Sequence, residues 1–232
     1  MFGRRLINTG GISCTTDTLQ ILGDTSCVAT YRLNGDATDL SGNYNGTATS
    51  VTYVAGIFGD AGSFNGSSSY VALPNSVSGI GAFTLSAWVN FNNITTAQGI
   101  WSLGSLVSGN IYSELFVENG IVYFRVGGST NYFFATSTAG DISTDIWKNI
   151  VCVFPNTTET NGCKIYIDDI EAAAVTSSVG SINRNTTFNT IGARGTGGTQ
   201  SIYFNGDIDQ VRIFNRAITA AEVTTLYNEV AC

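Results

Sequence analysis

The sequence predicts an all-β fold in which two antiparallel sheets pack face to face as a sandwich or jelly roll. Short segments rich in β-branched and aromatic residues recur along the 232-residue chain, and Gly, Asn and Asp turns separate them. With 27 Gly, two Pro and 43% hydrophobic residues, the composition supplies both turns and apolar surface for a core. The one helical segment predicted, residues 219–227, lies near the C-terminus, where Thr219 and Glu222 have the spacing of a capping box.

The strand signals begin at Cys27. Residues 27–34 have the β-branched and aromatic content of a strand, and a loop rich in Gly, Asp and Asn follows over residues 35–46. Residues 61–74 predict two short strands around an Asn65-Gly66 turn, which is a hairpin signal.

The middle of the chain continues the same rhythm. Residues 83–91 alternate, so Trp88 belongs to a largely polar face while the opposite face is apolar. Glu118-Asn119-Gly120 predicts a hairpin turn, and residues 155–162 are predicted to form the long tip of a second hairpin. The remaining strands are predicted at residues 111–117, 121–126, 132–134, 146–154, 163–168 and 187–192.

Two domain parts are predicted, an N-terminal arm over residues 1–26 and a sandwich domain over residues 27–232. The arm is polar, rich in Thr and Gly, and lacks strong alternation, while Arg4 and Arg5 make its tip basic. Three roles stay open for the arm: disorder, an added strand, or a docking segment for a neighbouring subunit. No export signal is visible after residue 7, and no window has the length of a membrane span.

Charge and composition exclude several classes of function. The net charge of −7 argues against a nucleic-acid partner, which would require a basic patch. The absence of histidine excludes Ser-His and Cys-His nucleophilic sites and removes the commonest ligand of transition metals. No Cys-x-x-Cys pair is present to bind zinc.

Five cysteines leave at least one thiol unpaired if disulfides form. Cys152 and Cys163 flank the tip of the predicted second hairpin and would face each other. Cys27 opens the first core strand and Cys232 ends the chain, and chain ends are often close in sandwiches. The alternative is that all the cysteines are buried or free thiols.

Several segments, in this order, resemble the laminin-G-like jelly rolls of the concanavalin A-like lectin/glucanase superfamily. The strongest is the closing segment at residues 204–219, a strand that leads into the capped helix. The others are the loop with Gly35, Asp36, Asp39, Ser41 and Gly42, then Trp147, and residues 64–71, 83–89 and 165–168. The resemblance runs from about residue 27 to residue 227 and implies a concanavalin A-like jelly-roll sandwich. With its leaderless arm, the chain is similar to laminin-G-like proteins found among tailed-phage structural genes.

Because this superfamily includes glucanases, catalysis has to be considered. Retaining glycosidases need two carboxylates about 5 Å apart. Glu114 and Glu118 are four residues apart on one predicted strand, which separates them by about 13 Å. We therefore expect two solvated strand carboxylates there, a turn at Asp168-Asp169, and no enzymatic activity.

The resemblance also implies a structural calcium ion. In calcium-bearing relatives the aspartate of the closing signature helps to hold the ion, and the matching residue here is Asp209. Asp36 and Asp39 lie in the first loop and would converge with Asp209 if the first and closing strands were neighbours. Carboxylates and carbonyls are the ligands that Ca²⁺ prefers. In the alternative, these aspartates only cap turns through side-chain hydrogen bonds.

A sugar site would need an exposed aromatic platform with polar neighbours. The candidates in the sequence are Trp101, Tyr112, Tyr132, Phe133 and Tyr203, although aromatics in sandwiches are more often core residues.

The leading functional hypothesis is a non-catalytic virion surface protein of a tailed bacteriophage, either a capsid decoration or a tail-associated module. Its arm would dock on other virion proteins, and a homo-oligomer is left open. The alternative is a calcium-assisted carbohydrate-binding or adhesion module of a secreted or cell-surface protein, which would bind cell-surface glycans.

Overall fold

The computed structural model describes residues 18–74, 81–103, 112–127, 132–155, 163–173, 189–196 and 199–230. Within these ranges the chain forms seventeen strands and one helix. In chain order they are β1 (Cys27–Tyr31), β2 (Thr47–Thr49), β3 (Thr52–Ala55), β4 (Asp60–Asn65), β5 (Tyr70–Leu73), β6 (Phe83–Phe91), β7 (Gln98–Leu103), β8 (Tyr112–Glu118), β9 (Ile121–Gly127), β10 (Tyr132–Thr136), β11 (Lys148–Phe154), β12 (Lys164–Ile167), β13 (Ile170–Ala173), β14 (Asn189–Ile191), β15 (Ala193–Thr196), β16 (Thr199–Tyr203), β17 (Asn205–Phe214) and α1 (Ala220–Tyr227).

Two antiparallel sheets contain most of these strands, which confirms the predicted sandwich. The first sheet has the order β13-β12-β11-β6-β17-β4-β3, and β1 also pairs with β17. The second sheet has the order β10-β9-β8-β7-β14-β5-β2, and β15 and β16 form a separate hairpin. The first and closing strands are therefore neighbours, as the resemblance implied.

The core lies between the two sheets, and β6 shows why. Its residues Phe83, Leu85, Ala87, Val89 and Phe91 all belong to the main apolar cluster, as the alternation predicted. The opposite face of β6 is polar but it is not solvated, since Ser86 and Trp88 are 1% and 7% exposed. Trp88 stacks on Tyr227 of α1 at 5.7 Å between ring centroids. The helix thus covers the outer face of the first sheet.

The structure describes only the last part of the predicted arm, residues 18–26, and this part contacts the domain. Ile21 is buried in a second apolar cluster beneath α1, and Leu19 and Leu22 pack against that cluster. Asp24 forms an ion pair with Arg216 at 2.7 Å. Residues 18–26 therefore pack on the sandwich, while Arg4 and Arg5 lie outside the described residues, and the domain boundary at residue 26 stays a prediction.

The two predicted Asn-Gly hairpin turns have different outcomes. The Asn119-Gly120 turn joins β8 to β9 directly, with φ of 52° and 73°, and this prediction is confirmed. The Asn65-Gly66 turn does not close a hairpin, because β4 pairs with β3 and β17 whereas β5 pairs with β2 and β14. The chain changes sheets at this turn. The same turn can join two strands of one hairpin or two strands of different sheets. The Asn-Gly dipeptide alone therefore does not determine which strands pair.

Among the described residues, no helix is long and apolar enough to cross a membrane.

Candidate functional site

A polar cavity of about 400 Å³ opens at one end of the sandwich. It lies where the β4–β5 turn, the β6–β7 loop, the start of β7 and the strand β16 meet. None of its ten lining residues carries a charge. The polar lining residues are Asn65, Asn93, Thr96, Gln98, Ser201, Tyr203 and Asn205.

Buried hydrogen bonds hold the floor of this cavity. Gln98 is only 2% exposed, and its Oε1 atom accepts a hydrogen bond from the Asn205 amide at 2.8 Å. Its Nε2 atom donates to the Asn93 carbonyl at 2.7 Å. One side chain thus joins the β6–β7 loop, β7 and β17. Because both ends of the Gln98 amide are satisfied, the floor is fixed in one arrangement.

Side-chain hydrogen bonds also shape the rim. Asn65 Oδ1 accepts from the amides of Ser67 and Ser68, each at 2.9 Å. Asn93 Oδ1 accepts from the Thr95 amide at 2.8 Å. Such short Asn-based turns explain why the sequence is rich in Asn, Ser and Thr here. That enrichment was visible in the sequence, but its grouping around one cavity was not.

Of the five aromatic candidates for sugar stacking, Tyr203 is the one that lines the cavity. Its ring is half-buried on β16, 6.5 Å from the ring of Tyr70. Trp101 is 1% exposed and packs in the core against Phe83, so its candidacy was wrong. The side chains of Tyr112, Tyr132 and Phe133 lie outside the described residues.

Glu114 is not the solvated carboxylate that the sequence predicted. Its side chain is 1% exposed, and it forms ion pairs with Arg125 at 3.1 Å and with Arg194. Both guanidiniums lie over the Phe116 ring, at 5.3 and 4.7 Å from its centroid. Burial raises the pKa of Glu114, and the two arginines oppose that shift. A strand pattern gives no sign of Arg194, which arrives from a hairpin distant in sequence.

The Asp168-Asp169 pair forms a turn, as predicted. Both residues have positive φ, 52° and 64°. Asp168 accepts a hydrogen bond from Lys148 at 2.6 Å and from the Asn149 amide at 3.0 Å. Its carboxylate is thereby occupied within the β12–β13 connection.

Asp36 and Asp39 act as acceptors within their own loop. Asp36 Oδ1 accepts from the amide and hydroxyl of Thr38, at 2.9 and 2.7 Å. Asp39 Oδ1 accepts from the Thr30 amide at 2.8 Å, and its Oδ2 accepts from the Ser41 hydroxyl and from the Tyr44 amide. These contacts match the turn-capping alternative, because N–H and O–H donors occupy both oxygens of Asp39 and one oxygen of Asp36.

Asp209 is fully buried in β17 and meets a different loop. Its Oδ2 atom accepts from the amides of Ile57 and Phe58, each at 3.0 Å. Its Oδ1 atom has no hydrogen-bond partner among the described residues. Burial raises the pKa of Asp209 to about 7, while the two amide donors lower it and the charge of Glu229 raises it further.

The expected convergence of Asp36, Asp39 and Asp209 is therefore not found. Within the described ranges, no group of three or more Asp, Glu, Cys or His side chains is placed to hold a metal ion. Both oxygens of Asp39 already accept from N–H and O–H donors, so they do not fit a calcium site built from these three residues. Among the carboxylate oxygens of these three aspartates, Asp209 Oδ1 is the buried one that accepts no hydrogen bond from the described residues, so no donor there competes with a cation.

The expected disulfides are not formed. Cys27, Cys152 and Cys163 are free, buried thiols, and Cys232 lies outside the described residues. Cys152 is opposite Ile165 in the β11–β12 ladder, and one further pairing step places Cys163 opposite Phe154. The two cysteines are thus diagonal rather than facing neighbours. Burial raises the pKa of Cys163 to about 12.

Two antiparallel sheets, a closing strand paired with the first strand, and a polar cavity at the loop end define a lectin-type jelly roll. A laminin G family model, described as the concanavalin A-like lectin/glucanases superfamily, matches residues 65–224. The chain belongs to this family. A comparison with curated protein sequences gives no match.

Solved structures share this fold. Domain 4 of AbnA, a GH43 extracellular arabinanase from Geobacillus stearothermophilus in complex with arabinotriose, is 22% identical with a TM-score of 0.69, covering 88% of this chain and 98% of that chain. The binding domain of Paraclostridial Mosquitocidal Protein 1 is 18% identical, with a TM-score of 0.64 and coverage of 86% and 51%. The CBM40 of Ruminococcus gnavus IT-sialidase, bound to alpha2,3 sialyllactose, is 13% identical, with a TM-score of 0.56 and coverage of 78% and 97%. At these identities the likeness is one of fold.

Proposed function

We propose that this chain is a non-catalytic carbohydrate-binding module whose ligand site is the polar cavity beside Tyr203. The observation that carries the proposal is the lining of the cavity, which is uncharged and consists largely of amide and hydroxyl side chains around one tyrosine. Amides and hydroxyls pair with sugar hydroxyls, and an aromatic ring packs against the C–H face of a sugar ring. A volume of about 400 Å³ accommodates one or two sugar rings.

Solved structures of the same fold support the same proposal. AbnA domain 4 was solved with arabinotriose and the sialidase CBM40 with sialyllactose, so this fold carries saccharide sites in proteins of similar architecture. The absence of charge in the cavity favours a neutral saccharide as ligand over a sialylated or uronic one.

The non-catalytic part of the proposal rests on Glu114. A glycosidase acid or nucleophile must reach the scissile bond, together with a second carboxylate. Glu114 is 1% exposed and occupied by two arginines. It is not among the residues that line the cavity.

A glycan array followed by calorimetric titration tests the proposal. We expect saturable binding of one or more neutral oligosaccharides, and at least tenfold weaker binding by Tyr203→Ala. Tyr53→Ala is the matched control, since Tyr53 is a half-buried tyrosine on β3 of the first sheet and does not line the cavity; the affinity of this variant should equal that of the wild type. A blank array, or equal affinities of the Tyr203→Ala variant and the wild type, would overturn the proposal.

Calcium assistance, which the resemblance implies, is tested by a chelator arm of the same titration. The described residues offer no three-aspartate site for it. If affinity falls in chelator and recovers with added calcium, the ion takes part in binding.

The virion role predicted from the sequence is a second proposal and is compatible with the first. Its support is the similarity to laminin-G-like phage proteins and the contrast between the basic pair Arg4-Arg5 and a chain of net charge −7. In this role the arm docks on other virion proteins and the sandwich faces outward. Proteomics of purified particles decides, since absence of the protein from them would refute it. In the alternative, the protein is an extracellular module of a secreted or cell-surface protein.

A further inference from the structure

The β15–β16 hairpin lies directly on the second sheet. Because Gly99 of β7 has no side chain, the hairpin backbone can approach the sheet closely. A Cβ atom at Gly99 would come within 2.5 Å of the Arg194 amide nitrogen. Thr190 of β14 donates a hydrogen bond to the Ala193 carbonyl at 2.7 Å. The hairpin backbone is thus in contact with two strands of the sheet.

The second strand of this hairpin is one wall of the proposed sugar site. Ser201, Ile202 and Tyr203 of β16 all line the cavity. In the hairpin ladder Ala193 pairs with Tyr203 and Arg194 pairs with Ile202. The position of the wall therefore depends on how β15 is held.

Arg194 ties β15 to β8 of the second sheet through its side chain. Its guanidinium pairs with Glu114 and lies 4.7 Å from the centroid of the Phe116 ring. Glu114 also pairs with Arg125 of β9, whose guanidinium lies over the same ring at 5.3 Å. The two arginines share one carboxylate and one ring, but only Arg194 belongs to the hairpin.

We propose that Glu114 and Arg194 are positioning residues for the sugar site. They hold the β15–β16 hairpin against the second sheet and thereby set the distance between the Tyr203 wall and the Gln98 floor. Neither residue lines the cavity. The expected effect on sugar binding rests on the proposed function. The anchoring of the hairpin does not depend on any ligand.

The pair Arg194→Met and Arg125→Met tests this inference, because each variant removes one guanidinium from Glu114 and from Phe116. We expect Arg194→Met to bind the saccharide at least tenfold more weakly and Arg125→Met to bind within about twofold of the wild type, at a temperature where both are folded. Arg194→Lys, which keeps the charge, should restore a large part of the affinity.

Amide hydrogen exchange provides the readout that needs no ligand. We expect the amides of residues 199–203 to exchange at least tenfold faster in Arg194→Met than in Arg125→Met. If either methionine variant fails to fold, Arg194→Gln and Arg125→Gln, which also remove the charge, replace the pair. Equal exchange at residues 199–203 in the two variants would overturn the inference, even if the wild type binds no saccharide. Faster exchange without any wild-type binding would refute only the proposed function.

Discussion

Arg212 and Glu229 form an ion pair with 2.6 Å between Nη2 and Oε2, and both side chains are fully buried. The other oxygen of Glu229 accepts a hydrogen bond from Trp88 Nε1 at 2.8 Å. Arg212 belongs to the closing strand and Glu229 follows α1. This pair therefore attaches the C-terminal segment to the outer face of the first sheet.

Removing one member of the buried pair should destabilise the fold strongly. We expect Glu229→Ala to lower the free energy of unfolding by about 3–5 kcal/mol, because it leaves the Arg212 charge buried without its partner. Urea unfolding measures the difference. Glu171→Ala is the control, since the Lys164–Glu171 pair is 40% and 44% exposed and exposed pairs contribute about 1 kcal/mol or less. Similar losses in the two variants would contradict the prediction.

Asp209 should make stability depend on pH. Burial raises its pKa to about 7 from 3.8, so the folded state binds its proton more tightly than the unfolded state does. This contribution is fully present below about pH 4 and is lost as the pH rises to about 7. We therefore expect Asp209→Asn, which does not titrate, to gain stability relative to the wild type by about 2–4 kcal/mol across this window. Urea unfolding at pH 4, 5.5 and 7 measures it, and a constant difference would refute the raised pKa.

Turn capping by Asp39 predicts a calcium-independent loss of stability. We expect Asp39→Ala to lower the melting temperature by the same amount in calcium and in chelator, since the donors that it loses are the Thr30 amide, the Tyr44 amide and the Ser41 hydroxyl. Calcium bound only to the folded state would instead add about 2.7 kcal/mol at a hundredfold excess over its dissociation constant. A calcium-dependent rise that Asp209→Ala abolishes would restore the calcium hypothesis at Asp209.

The cysteines should behave as buried thiols. We expect Cys27, Cys152 and Cys163 to resist alkylation in the native protein and to react after unfolding without reductant. Burial keeps the pKa of each of these thiols above its ordinary value, so little reactive thiolate is present at neutral pH. Peptide mass spectrometry locates the alkylated positions. Recovery of a Cys152–Cys163 disulfide peptide would contradict the structure.

Two truncations separate the described part of the predicted arm from the remainder. We expect deletion of residues 1–26 to lower the melting temperature relative to deletion of residues 1–17. The longer deletion removes Leu19, Ile21 and Leu22 from the apolar cluster beneath α1, and Asp24 from Arg216. Thermal unfolding of both forms measures the effect. Equal melting temperatures would show that the boundary at residue 26 was correct.

Features encoded within one segment were predictable from the sequence. The alternation of β6, the Asn119-Gly120 turn and the Thr219–Glu222 capping box each depend on neighbours a few residues apart, and each is present in the structure. Together with the order of the segments, they were sufficient for the sandwich and for its family.

Only the tertiary structure decided which strands pair and what each side chain meets. Asn65-Gly66 has the dipeptide of a hairpin but connects two sheets, because the partners of β4 and β5 come from distant segments. Glu114 lies on a strand with a solvent-like pattern, yet Arg194 buries it from a hairpin eighty residues later in the chain. The Gln98 floor and the Tyr203 wall likewise meet across more than a hundred residues. Local periodicity carries no information about contacts at that separation, so the candidate site was visible only in the folded chain.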